Sequence, residues 1–491
     1  MITFLIALLA LFVGYTVYGR FVERMFAPDD RQTPAQVSAD GVDFIPLKTW
    51  KATLIQLLNI AGLGPIFGAL AGACFGPVVL LWIVFGSILG GAVHDYMSGM
   101  ISGRNRGESF AGLTGRYLGP AGLYVMRVFS IVLLVLVGVV FVNTPAKLLT
   151  GDPFVPGFLA GVDSQVILYG WIAIIFLYYL MATLLPIDKV IGKIYPVFGI
   201  LLLAMAVAIV VAFVVHGVDI PEVWEGLSNH HPQAETNPVF PMMFISIACG
   251  AISGFHATQS PLMARCMVNE KQARPIFYGA MIAEGVVALI WAAAAAYFFY
   301  GGDDSLYHGE EDAGMVKLIA NTWFPSAIAF ITLLGVVAAA VTSGDTALRS
   351  ARLIVADFMH VDQKPIPKRL LVALPVFVLA ASLLIFSLAD AEGFQVIWRY
   401  FSWANQFLSM VTLWAITVFL SRHLPGKAWY WITLIPALFM SMVTISFLLV
   451  AEKEGLGSVL PRTAGYCIAA VITAALGVLF FAKKKRGETI K

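Results

Sequence analysis

The sequence predicts an all-α polytopic membrane protein of about 13 transmembrane helices, built from two inverted five-helix repeats with one helix before them and two after. Three observations carry this expectation. Of 491 residues, 59% are hydrophobic and only 12% charged, against roughly 25% charged in a soluble domain. Apolar runs of about 20 residues, the length that spans a bilayer, recur from end to end. Two of those runs, one in each half, are interrupted by glycine and polar residues.

The spanning runs fall near 2–18, 52–73, 77–101, 121–145, 165–185, 193–215, 239–263, 276–300, 324–345, 370–389, 394–420, 428–450 and 464–482. Arg20 and Arg24 follow the first run rather than precede it. That order is the reverse of a signal peptide, so an uncleaved span is expected. Net charge +2 points to no nucleic-acid partner, and the four cysteines form no CxxC, hence neither a disulfide framework nor a zinc cluster.

Basic loops alternate with poor ones. Residues 19–51 carry Arg20, Arg24, Arg31, Lys48 and Lys51, and the connection near Phe75 carries none. Arg104, Arg106 and Arg116 follow, then Lys147 alone, then Lys189 and Lys193, then nothing basic across 216–238. Arg265, Lys271 and Arg274 precede an acidic loop with Asp303, Asp304, Glu310, Glu311 and Asp312. Arg349, Arg352, Lys364, Lys368 and Arg369 precede Asp390 and Glu392, and a basic tail closes the chain. The positive-inside rule then places the N-terminus outside and the C-terminus in the cytoplasm of a bacterial inner membrane.

The expected organisation is an N-terminal helix at 1–20, a cytoplasmic loop at 21–51, repeats at 52–215 and 239–420, two final helices at 428–482 and a basic tail at 483–491. Each repeat opens on an interrupted span, and four helices separate the two, so the pair runs in opposite directions. That is the LeuT-type arrangement.

The interruptions are NIAGLGPIFGALAG at 59–72 and SIACGAISGFHATQSP at 246–261. In hydrocarbon an unpaired backbone group costs several kcal/mol, so a broken span must line a cavity or be packed in protein. The expected binding residues are Asn59, Gly62, Gly64, Pro65, Ile66, Phe67 and Gly68 in the first break. In the second they are Ser253, Gly254, His256, Thr258, Gln259 and Ser260. Pro65 suits the first turn of a new half-helix. The free N–H groups of Ile66, Phe67 and Gly68 would then aim a positive helix end at a carboxylate. Thr258 or Ser260 would cap the second half-helix. The plainer reading is that the glycines only permit close helix packing.

Intramembrane charges are functional by default. Glu284 lies inside its span with no basic neighbour in sequence, and is the expected proton carrier. Lys193, and His94 with Asp95 toward the cytoplasmic end of the third span, are further coupling candidates, the pair also as an inner gate with Arg104 or Arg106. Each has an ordinary alternative: an interfacial anchor for Lys193, a polar helix end for the pair. Thr342 and Ser343, closing the span 324–345, are possible sodium ligands with carbonyls freed at the first break. Asp345 paired to Arg349 at a plain helix end is equally consistent, and Arg399 reads as a snorkelling residue.

With GAVHDYMSGMISGRNRGES, NIAGLGPIFGALAG and CGAISGFHATQSP, the chain resembles the carbon starvation protein A (CstA) family, from the first helix to at least TSGDTALRSAR. That family is placed in the amino acid–polyamine–organocation (APC) superfamily. The resemblance implies a peptide transporter of carbon starvation or a pyruvate–proton symporter, and assigns no site residues. The expectation is therefore a secondary transporter, not an enzyme, importing a small carboxylate-bearing nutrient such as pyruvate or short peptides. Protons are favoured over sodium, and no cofactor is required beyond the driving ion. A channel, a sodium-coupled amino-acid transporter, an intramembrane enzyme and a starvation sensor are the alternatives; no HExxH or GxSxG motif supports the enzyme.

Overall fold

In the computed structural model the chain is all-helical among the described residues, which are all but 42, 152, 156–160, 185–186, 302–311, 391–392, 425–427 and 486–491. Side chains of 187–194, 301, 312 and 485 also lie outside the description. Among the described residues eleven helices are long and apolar enough to cross a membrane. The first is α1 (Ile2–Phe26). A bent pair, α2 (Thr49–Ile60) and α3 (Gly64–Ala73), meets at 46° and makes a twelfth crossing. The seventh expected run, 239–263, is no continuous helix: it unwinds over residues 247–253 and resumes as α8 (Gly254–Ala264).

Four long helices follow the first break: α4 (Val78–Arg104), α5 (Phe110–Leu149), α6 (Ser164–Leu184) and α7 (Ile187–Val215). Four more follow the second: α9 (Glu270–Tyr300), α11 (Ser326–Met359), α12 (Ile366–Ala389) and α13 (Gly393–His423). The last two crossings are α14 (Ala428–Val450) and α15 (Arg462–Lys485). The expected acidic loop before the ninth run instead holds a helix, α10 (Asp312–Trp323), over its last residues.

Several helices overrun their apolar runs. α5 begins at Phe110 and kinks at Gly119, whose φ of 84° only glycine adopts readily. α4 continues to Arg104, so His94 and Asp95 sit mid-helix instead of at its end. α11 continues to Met359, so Thr342–Asp345 is its middle. The cause is charge neutralised by protein. Arg349 and Arg352, which mark a membrane edge in the sequence, are buried beside Asp43, each guanidinium 3.7 Å from its carboxylate.

Loops expected to share a side do share a face. On one, Arg104 binds Glu270 at 2.9 Å, Lys271 binds Asp30 at 2.5 Å and Arg265 donates to the Gly107 carbonyl. The opposite face gathers Arg399 with Glu454, His230 against Tyr300, and Glu222, which accepts from the Ile2 and Thr3 amides at 2.7 Å.

Candidate functional site

The two breaks form for different local reasons. Pro65 has no N–H for the Ala61 carbonyl, so α2 cannot run on into α3; Ala61 leaves helical geometry at φ −78°, ψ 56°. The Ile66 and Phe67 amides, expected to be free, instead donate to the Leu63 carbonyl at 3.1 and 2.7 Å. The Leu58 carbonyl accepts from Thr342 and Ser343, both at 3.0 Å. The expected sodium ligands therefore do lie at the first break, with their protons already engaged.

The second break is held from outside. Asn405 of α13 accepts from the Phe255 amide at 2.7 Å and the Ser253 hydroxyl at 3.1 Å, and donates to the Ala248 carbonyl at 2.8 Å. It caps α8 in trans. Gln406 adds bonds to the Phe244 and Ile247 carbonyls at 3.0 and 3.2 Å. Thr258 and Ser260 do not cap: α8 starts at Gly254, and Thr258 turns back to the Phe255 carbonyl. Two adjacent amides inside an apolar run were a legible signal for Asn405 and Gln406.

Glycines press the breaks together. A methyl at Gly64 would lie 2.2 Å from Cys249 Sγ, one at Gly68 2.8 Å from the Ser246 carbonyl, and one at Gly250 2.4 Å from Ala288 Cβ. The packing role weighed for these glycines is thus real. Gly62 has the same character, closed by Phe141 and Ser343, and Gly254 packs on α13 at Asn405.

At this junction a chain of ionisable groups is wholly buried. His94 Nδ1 lies 2.8 Å from Asp95 Oδ1, His256 Nδ1 lies 2.8 Å from Asp95 Oδ2, and His256 Nε2 lies 3.3 Å from Glu284 Oε2. Glu284 therefore has a basic partner, which tertiary contact and not sequence supplies. His94 and Asp95 are wholly buried core groups, and Arg104, one of the two arginines expected to gate with them, binds Glu270. A π segment at Gly86–Gly91 sits just ahead of them in α4, and its Ser87 donates to the Gly250 carbonyl at 3.0 Å. Such segments recur at functional sites.

Around the chain, several buried polar atoms have no hydrogen-bond partner in the protein: Asn59 Oδ1, both ends of Gln56, His94 Nε2, Gln259 Oε1 and Ser260 Oγ. Native interiors pair nearly all such atoms, so a cluster of them marks a place for polar ligands or water. Asp345, expected to pair with Arg349, accepts instead from Tyr178 and Tyr195 at 2.7 and 2.9 Å. The side chain of Lys193 lies outside the described residues. A cleft of about 830 Å³ opens on the Arg399 face and ends at Ser246, ahead of the second break, and one of about 720 Å³ opens beside Arg265; neither is lined by His94, Asp95, His256 or Glu284.

Comparison with known proteins adds the following. A family model described as carbon starvation protein CstA matches residues 1–169, 159–302 and 311–447. An uncharacterized membrane protein of Haemophilus influenzae is 44% identical over 59% of this chain and 89% of its own length. The peptide transporter CstA of Campylobacter jejuni is 26% identical over 96% of this chain and 82% of its own length. Among solved structures, a manganese transporter of Eremococcus coleocola matches with a TM-score of 0.58 at 13% identity, covering 91% of this chain and 99% of that one. A Na+-coupled sialic acid symporter, solved outward-open with substrate, matches at 0.56 and 15% identity, covering 98% and 97%. At such identities the shared property is the fold, of LeuT type.

Proposed function

The chain belongs to the carbon starvation protein CstA family, and from that premise we propose that this multi-pass membrane transporter is a proton-coupled symporter importing a small carboxylate-bearing nutrient, pyruvate or a short peptide. Curated relatives are named as peptide transporters, not enzymes. One observation carries the coupling: His256 stands between two buried carboxylates at the second break.

A net charge at the centre of a bilayer costs about 3 kcal/mol or more. With His256 protonated beside an ionised Asp95, the group is neutral only if Glu284 also holds a proton. The loaded, protonated carrier can then close around its cargo, while an empty, charged one is penalised. Release on the far side follows when Glu284 meets water. In this reading the face rich in arginine is cytoplasmic, the N-terminus is outside and the C-terminus inside, and the membrane is the bacterial inner membrane.

Sodium coupling is the second reading, favoured by the Thr342 and Ser343 hydroxyls on the Leu58 carbonyl. Uptake into proteoliposomes separates the two. An inward proton gradient is expected to drive saturable, trans-stimulated accumulation of pyruvate or dipeptides with sodium absent. Accumulation that needs sodium supports the second reading; flux without saturation or trans-stimulation indicates a channel.

A further inference from the structure

On the face opposite the buried arginine pair, a vestibule of about 830 Å³ opens between the 232–237 loop, the start of α13 (Gly393–His423) and the segment after α14 (Ala428–Val450). At its mouth Arg399 Nε lies 2.7 Å from Glu454 Oε1, with the two side chains 30% and 16% exposed. Below lie Trp398, Ser402 and Ser246. Ser402 is among the residues lining the cavity but only 3% exposed, and its hydroxyl is buried without a hydrogen-bond partner in the protein. Ser246 leads into the second break. Residues three and seven apart share a helix face, so Arg399, Ser402 and Gln406 form one line from the mouth to the amides that hold that break.

We propose that this vestibule is the first binding site for a carboxylate ligand, and that Arg399 exchanges Glu454 for the ligand's carboxylate. Guanidinium reads a carboxylate through a planar fork of donors. Here Glu454 meets the guanidinium from a loop through a single Nε contact and leaves the fork unfilled, in a half-open pair of the kind that adds little stability and is cheap to trade. Ser402 then offers its free hydroxyl one turn further in. The released Glu454, with Glu452 beside it in the lining, faces the ammonium of a peptide, whereas pyruvate leaves both carboxylates in water. The inference rests on the transport reading only for the direction of entry.

The test is calorimetric binding of pyruvate and of dialanine to the purified full-length protein, with uptake into proteoliposomes measured in parallel. Arg399→Gln is expected to weaken binding roughly tenfold to a hundredfold, the loss of one charge-assisted contact, and to raise KM with little change in maximal rate. Arg399→Lys recovers part of the loss, Glu454→Gln binds pyruvate at least as well as wild type, and dialanine amide does not distinguish Arg399→Gln from wild type. Greater sensitivity of dialanine than of pyruvate to Glu454→Gln identifies a peptide as the ligand. The double variant R399E/E454R rebuilds the ion pair with reversed charges; recovery of binding there makes the pair a strut and overturns the proposal. Wild-type affinity in Arg399→Gln, or no carboxylate binding by wild type, overturns it equally. Uptake indifferent to Arg399 removes the vestibule and leaves the transporter. Arg399-dependent binding without any uptake removes the transport reading and leaves the vestibule.

Discussion

His256 Nε2 lies 3.3 Å from Glu284 Oε2, and both side chains are wholly buried. On its other edge the same imidazole meets Asp95. Glu284→Gln keeps the shape and removes the ionisable carboxyl. It is expected to abolish accumulation driven by a proton gradient while leaving exchange of substrate across the membrane intact. Counterflow in vesicles measures the second property, and proton-driven accumulation at the wild-type level in this variant would reject Glu284 as the carrier.

Asn405 holds together a segment that has no helix of its own. Asn405→Leu, with the same branching and number of side-chain heavy atoms, orphans the Phe255 amide and the Ala248 carbonyl. Buried unpaired groups cost about 1–3 kcal/mol each, so a loss of about 2–6 kcal/mol is expected for the two. It would show as a lower midpoint of thermal unfolding in detergent. Asn405→Asp keeps the acceptor for Phe255 and loses the donor, and should fall between. An unchanged midpoint for the leucine variant contradicts this role.

Gly64 and Cys249 bring the two breaks into contact. Gly64→Ala forces a methyl to within 2.2 Å of Cys249 Sγ and 2.4 Å of its Cβ, and overpacking of this kind costs about 1–3 kcal/mol. Folded yield and uptake should both drop. Cys249→Gly removes the atoms in the way, so the double variant should recover much of the loss. Failure of that rescue would place the damage elsewhere.

Asp43 bridges two bodies on the arginine-rich face. Its carboxylate lies 3.7 Å from both Arg349 and Arg352, and the neighbouring Leu47 amide donates to the Cys266 carbonyl at 3.0 Å. Removing one partner of a buried ion pair costs about 3–5 kcal/mol. Asp43→Asn should therefore loosen this strap and expose Cys266, now wholly buried. With the exposed Cys467 replaced by serine, maleimide labelling of Cys266 followed by mass spectrometry should speed up by about tenfold or more. Equal labelling in both proteins would show that Asp43 does not hold this face shut.

Much of this was legible from residue order. Pro65 and the glycines mark the first break, and the polar string from Ser253 to Ser260 marks the second. Glu284 reads as an expensive intramembrane group and His94 with Asp95 as a pair near a helix end, and His256 joins them. Their partnership was not legible, because His256 reaches Asp95 across 161 residues of chain and no periodicity encodes that distance. Asn405 and Gln406 carried a readable signal in an apolar run that went unweighed. Asp43 carried none: it is one charge among many in a polar loop. Helix ends were misplaced wherever a charge was taken for the membrane edge, as at Arg349, since a charge neutralised inside protein does not stop a helix.

Residue order by itself determined that the chain crosses a membrane many times, which loops share a face, and where two crossings must snap. These follow from local physics: apolar length, charge exclusion and the donor that proline lacks. Tertiary structure alone decided which polar groups those snapped segments would find. A freed carbonyl or buried carboxylate takes whatever folding carries within about 3 Å of it, and that proximity joins His256 to Glu284 and Asn405 to Phe255.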